Sequence, residues 1–147
     1  MKDIKLTNGE IRKIVDLLAS EDSLINTHDT TRSFPMVILW RIQTNYNTLK
    51  PIYDQYIEAE NKIRGEYFTE EKTNPQIING EPSGQYELKP QYRQEFFAKL
   101  IELANIENEV RVDTISFESV ESRELTGSEL QSIRFMIEDP VEETESE

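Results

Sequence analysis

Cysteine is absent from this 147-residue chain, and histidine occurs once, at His28. The first absence excludes disulfides, thiolate metal sites and cysteine nucleophiles; the second removes most histidine-based catalysis and zinc chemistry. Nor is there any run approaching eighteen uncharged apolar residues, so no transmembrane helix is expected. The opening Met1-Lys2-Asp3-Ile4-Lys5-Leu6 lacks the hydrophobic region of a signal peptide, and the expectation is a soluble protein of the cytoplasm. Glycine is also sparse, with 5 residues, and basic side chains are outnumbered: 16 Lys and Arg stand against 29 Asp and Glu, a net charge of −13. Free nucleic acid and anionic membrane are poor partners for such a chain.

What remains is 36% apolar and 31% charged residues, enough for one core of ordinary size. The composition argues against an enzyme and for a small acidic interaction protein without cofactor or metal. Its acidity is lopsided. Residues 1–73 carry 12 acids and 10 bases, whereas residues 74–147 carry 17 acids and 6 bases. From Glu107 to Glu147 there are 13 acids and 3 bases, a net of −10. Arrayed on one surface, that much charge could imitate a phosphate backbone; as a solvated tail it would only keep the protein soluble.

Two helix starts share one signature. In Leu6-Thr7-Asn8-Gly9-Glu10-Ile11, Thr7 is an N-cap, Glu10 completes a capping box, and Leu6 and Ile11 are placed as a hydrophobic staple. Ile11, Ile14, Val15 and Leu18 then form one stripe of a short helix ending near Glu21-Asp22-Ser23. Leu125-Thr126-Gly127-Ser128-Glu129-Leu130 repeats the pattern, and a second short helix should carry Leu130, Ile133 and Ile137 to a stop at Pro140.

Between them lies the longest predicted element. Ile38, Ile42, Asn45, Leu49, Ile52, Tyr56, Ala59 and Ile63 alternate spacings of four and three, the seam of a helix packed along its length. Leu39, Tyr46, Tyr53 and Tyr67 flank that seam, which suits a helix lying on a globular core. From Met36 to Phe68 it would span roughly 50 Å, with Pro51 expected to kink or split it. Asn45 occupies a seam position meant for an aliphatic residue; a buried amide there either fixes register or meets a partner. Trp40, Tyr46 and Tyr53 are the aromatic residues expected to be exposed, as candidate contact anchors.

Residues 69–90 concentrate turn formers. Asn79-Gly80 predicts a small, mobile hairpin from Gln76–Asn79 and Gln85–Leu88. A third helix should begin near Pro90, with Tyr92, Phe96, Phe97, Leu100, Ile101, Leu103 and Ala104 giving a broad apolar face that packs antiparallel on the long helix. Residues 110–120 are rich in β-branched side chains, but their alternation slips phase between Val112 and Ile115, which suggests a bulge or two short strands. Ile4 and Leu6 could supply the pairing strand. The fold class is therefore α+β: a helical hairpin, a small antiparallel sheet and two short capped helices in a single domain, 1–140, followed by an acidic disordered tail, 141–147.

No constellation carries chemistry. His28 lies beside Asp29 but has no second histidine, and a solvated loop residue needs no further role. Glu58/Glu60, Asp113/Glu118 and Glu142/Glu143 read as hydrated faces, since general-acid work requires a carboxyl with a pKa raised by burial. Gly80 and Gly84 lack the Gly-Lys-Ser/Thr of a phosphate loop. Arg41, Lys50, Lys62 and Arg64 are interleaved with acids and form no basic groove, so direct nucleic-acid binding is not expected.

Ser33-Phe34-Pro35, Arg41-Ile42, Asn45-Tyr46-Asn47, Leu49, Pro51, Tyr53 and Tyr56-Ile57-Glu58-Ala59, closing with Leu125-Thr126 and Phe135-Met136-Ile137-Glu138, resemble a family of small proteins encoded in phages and prophages of Gram-positive bacteria. The segment Thr69 to Lys89 is more irregular than that pattern. The resemblance implies a phage setting and a non-enzymatic role. In that setting the expected function is binding of a host or phage protein: an acidic inhibitor of a host defence protein in the host cytoplasm, occupying a basic surface. Trp40, Tyr46, Tyr53, Glu107, Glu109, Asp113, Glu118 and Glu121 are its candidate contact residues. The alternative is a virion-assembly protein, a tail or head completion component or an assembly chaperone, working as a homo-oligomer.

Overall fold

The computed structural model describes residues 1–20, 34–121 and 125–138. His28 and the expected acidic tail, 141–147, lie outside them. Among the described residues the fold is α+β, with one long helix and two small antiparallel sheets. The chain divides into two compact units: residues 1–53 with 107–147, and residues 54–106.

In the first unit, strand β1 (Lys2–Thr7) pairs antiparallel with β4 (Glu107–Val112), from Lys2 opposite Val112 to Thr7 opposite Glu107. Pleating separates two faces. Leu6, Val110 and Val112 are buried on the inner one, while Asp3, Lys5, Glu107, Glu109 and Arg111 point outward. The turn from β1 into α1 (Asn8–Ala19) is built as its sequence requires: Thr7 Oγ1 accepts from Glu10 N at 3.1 Å and Glu10 Oε1 accepts from Thr7 N at 3.0 Å. Ile11, Ile14, Val15 and Leu18 are all buried. Asn108 Nδ2 donates to Asn8 Oδ1 at 2.8 Å and to Leu6 O at 3.2 Å, locking the far end of the sheet to the helix start.

The predicted second half of the β segment is different. The ladder ends at Val112, and residues 117–121 form a short helix, α4, in place of strand. Ser116 is the reason. Its hydroxyl and its carbonyl both accept from Ser119 N, at 3.3 and 3.1 Å, a local turn that overrides the β-branched preference of Val120. Val120 is buried from the helix instead. Ile115 forms an isolated parallel bridge with Ile137: Ile115 N donates to Met136 O at 2.9 Å, and Glu138 N to Ile115 O at 2.8 Å.

That bridge also shortens the last helix. α5 (Gly127–Ile133) starts on the expected capping box, with Thr126 and Glu129 reciprocally bonded. It tightens into a 3-10 turn, Arg134–Met136, rather than continuing to Pro140, because Ile137 must be extended to pair with Ile115. Leu130, expected on the buried stripe, is exposed.

Helix α2 (Met36–Tyr67) is continuous over 32 residues and is not split at Pro51. Pro51 and Asn47 both lie on its exposed side, where water can satisfy the Asn47 carbonyl that lacks its usual donor. Ile38, Ile42, Asn45 and Leu49 are buried, with Ile52 packed against the same core as α1, β4 and the 3-10 turn. Asn45, 1% exposed, is the polar residue in that row. Its Oδ1 accepts from Asp113 N at 2.7 Å and its Nδ2 donates to Asp113 O at 2.8 Å. The amide thereby imitates a neighbouring strand just where β4 runs out of partners. One turn earlier, Arg41 Nη1 donates to Thr114 O at 3.0 Å.

The second unit holds the rest of α2, the hairpin and α3 (Pro90–Ala104). Strands β2 (Thr73–Ile78) and β3 (Glu81–Leu88) pair around Asn79-Gly80, whose φ values of 54° and 82° are those of a two-residue primed turn. Pro75 lies opposite Tyr86 and Ile77 opposite Pro82, with a register shift between Pro75 and Ile77. Helix α3 begins with proline at its first turn, as predicted. Its contact is narrower than expected. Tyr92, Phe96 and Leu100, one i, i+4, i+8 row, join Ile63, Tyr67 and Leu88 in a small core, while Phe97 and Ile101 are 55% and 60% exposed. The Tyr67 and Phe96 rings lie 5.5 Å apart, and Phe68 meets Phe96 edge-on at 5.6 Å.

Replacing Asn45 by Ala leaves the partly buried Asp113 N–H and C=O without the side chain that satisfies both. Urea denaturation should show a loss of about 3 kcal/mol, against less than ~0.5 kcal/mol for Thr48→Ala on the exposed side of the same helix.

Candidate functional site

Trp40 is 71% exposed on the second turn of α2, next to the exposed Met36 and Val37. The seam explains this: with Ile38 and Ile42 facing the core, positions 36, 37 and 40 face away from it. The other two aromatic anchors are placed differently. Tyr46 and Tyr53 are half-buried and pack against the core, not exposed as expected. Both flank the seam, and the core is wide enough to take them. Tyr53 Oη donates to Asp16 Oδ1 at 2.9 Å, tying α2 to α1, and Lys50 Nζ lies 5.0 Å from the Tyr53 ring centre. The hydrogen bond to Asp16, then burial, then the negative charge of Asp16 raise the Tyr53 phenol above its ordinary pKa of 10.0.

The candidate acids separate into two groups. Glu107 and Glu109 share the outer face of β4, but Lys5 lies directly opposite Glu109, and Arg111 on that face sits 3.8 Å from Asp3. This face mixes both signs. Glu118 and Glu121 are exposed three residues apart on α4, one side of one helix. Asp113 lies between the groups, half-buried, its backbone held by Asn45. Of the 13 acids from Glu107 onward, six (Glu124, Asp139, Glu142, Glu143, Glu145 and Glu147) fall outside the described residues. Glu129 is buried in its capping box, and Glu138 Oε1 accepts from Thr114 Oγ1 at 2.6 Å.

Arg41 links the aromatic and acidic parts. Its bond to Thr114 ties the helical turn carrying Trp40 to the residue three before α4, the helix of Glu118 and Glu121. Arg41 stood in the sequence only as one of several scattered cations; its role needs a tertiary partner that no spacing announces.

Two cavities open on the described surface. One, of about 250 Å³ and within the first unit, is lined by Leu6, Ile14 and Phe135 with Glu10, Lys13, Gln131 and Arg134. The other, of about 780 Å³ and within the second unit, is lined by Phe68, Thr69, Glu70, Thr73, Pro75, Gln85 and Tyr86. Neither was foreshadowed, although residues 73–86 carry a single charge, Glu81, in a chain that is 31% charged. Among the described residues no three Asp, Glu or His side chains gather where they could hold a metal ion, and no helix is long and apolar enough to cross a membrane.

No protein-family model, no curated protein and no solved structure matches the chain.

Because the folded-state pKa of Tyr53 is raised, the Tyr53–Asp16 bond contributes stability that is fully present below pH 10 and is lost as pH rises through the higher folded value. A spectrophotometric phenolate titration should show Tyr53 ionising above pH 10, and Asp16→Ala should return it towards its ordinary value.

Proposed function

We propose that this protein is a non-enzymatic, phage-encoded binder of another protein, an acidic inhibitor that occupies a basic surface on a host defence protein. The observation that carries the reading is the exposed Trp40 on the turn that Arg41 ties to the approach to α4, where Glu118 and Glu121 are exposed. An aromatic anchor supplies contact area and the flanking carboxylates supply charge complementarity and a fast on-rate. Glu107 and Glu109 contribute less, because Lys5 and Arg111 share their face. Tyr46 and Tyr53 pack against the core and leave Trp40 as the aromatic anchor of this reading.

A second reading, a virion-assembly protein working as an oligomer, draws on Phe97 and Ile101, which leave an apolar strip on α3. The two readings differ in what they bind and in how salt affects it.

The protein, tagged and expressed in its host during phage growth, should copurify a host protein whose recovery falls as salt is raised. Trp40→Ala should weaken that complex roughly 30-fold, and Glu118→Gln with Glu121→Gln should remove most of its salt dependence. Salt-resistant recovery of capsid or tail proteins, unaffected by Trp40→Ala, together with a stable higher oligomer in sedimentation, would instead establish the assembly role.

A further inference from the structure

The 780 Å³ cavity at the foot of the hairpin has a chemical character distinct from the rest of the surface. Phe68 and Tyr86 stand on its wall, 44% and 64% exposed, both large aromatic residues left facing water. Glu70 is the single charged residue that lines it, and no cation does. Lys72, two residues on, is turned elsewhere: its Nζ lies 4.8 Å and 5.6 Å from the ring centres of Tyr67 and Tyr92 and donates to Glu66 O at 3.3 Å. Among the described residues, the Glu70 carboxylate therefore has neither an ion pair nor a hydrogen bond.

Thr69 and Thr73 hold the floor. Thr73 Oγ1 and Thr73 N both donate to Thr69 O, at 2.7 and 3.1 Å, which fixes the turn from α2 into β2 and the position of Glu70 within it. Gln85 and Pro75 line it from the two strands. Two aromatic residues and an unpaired carboxylate around an open cavity are what recognises a flat organic cation: the rings attract its charge, and the carboxylate accepts its N–H groups. The volume lies within the range of ordinary ligand sites, and the net charge of −13 draws cations towards the molecule.

We propose that this cavity binds a guanidinium group, presented as an arginine side chain of a protein partner. Guanidinium fits better than ammonium because it is planar, stacks on aromatic rings and presents a fork of donors that matches the Glu70 carboxylate. The site belongs to the second unit and does not depend on the surface around Trp40, so the two proposals fail separately.

The test is a titration of the full-length, isotope-labelled protein with Nα-acetyl-arginine amide, followed by NMR. Saturable shifts confined to Thr69, Glu70, Thr73, Gln85 and Tyr86 are expected, unchanged in Trp40→Ala. Nα-acetyl-citrulline amide, nearly isosteric but neutral, should bind at least about tenfold more weakly, as should the arginine probe to Glu70→Gln or to Tyr86→Ala. Both substitutions are at exposed positions, so each variant should retain the dispersed spectrum of the folded protein. Absence of shifts at those residues, equal binding of the citrulline probe, or unchanged affinity in Glu70→Gln would overturn the proposal. Agmatine binding more than about tenfold tighter than the amide-capped arginine would overturn the protein-borne source and make the cavity a site for a free cation.

Discussion

One side chain holds the centre of the first unit together. Strand β4 has β1 on one edge, and when it leaves that ladder after Val112 its backbone still needs a donor and an acceptor inside the core. Asn45 supplies both from the middle of α2, at 2.7 and 2.8 Å. The residues that follow depend on it. Thr114 is held by Arg41, Ile115 by the chain around Met136 and Ile137, and Ser116 by its own turn into α4. An aliphatic residue at position 45 would pack well and leave that whole sequence of contacts without its first anchor. The amide thus fixes the register of the long helix against the C-terminal segment, a structural role for the one polar residue that interrupts the seam.

The charge of the protein is arranged less simply than its total implies. An excess of acid does not by itself make an acidic face: β1 brings Lys2 and Lys5 to the sheet, so that Lys5 meets Glu109 and Asp3 meets Arg111. Some carboxylates are used internally, Glu10 and Glu129 as helix caps, Glu60 with Arg64 at 3.2 Å, and Glu138 with Thr114. Of the candidate contact acids, α4 carries two that are exposed, Glu118 and Glu121. This is why a short helix where a strand was expected changes the functional reading as well as the fold: it presents Glu118 and Glu121 on one side, where a strand's period of two would have sent them to opposite faces.

Local rules read much of this fold from the sequence. Both capping boxes form, the Asn-Gly turn forms, and helix α3 begins at its proline, because each of these is decided within a few residues. The seam of α2 was legible for the same reason over a longer span. What was not legible depended on distant partners. Tyr53 is drawn to Asp16, Ile137 is straightened by Ile115, and residues 117–121 coil because Ser116 satisfies Ser119 locally once the strand has ended. The candidate site followed the same division. Exposure of Trp40 follows from helical periodicity, whereas the role of Arg41 and the cavity beside Glu70 arise only when separate segments meet.

The β2–β3 hairpin carries exposed Ile77, Ile78 and Tyr86 with almost no charge, a composition that would ordinarily invite uncontrolled stacking of sheet edges between molecules. Each of its strands, however, contains a proline, Pro75 in one and Pro82 in the other, and the register slips between Pro75 and Ile77. A strand approaching either edge finds a missing N–H and a broken repeat of donors and acceptors. The hairpin can therefore keep a sticky face without offering a template for fibre growth.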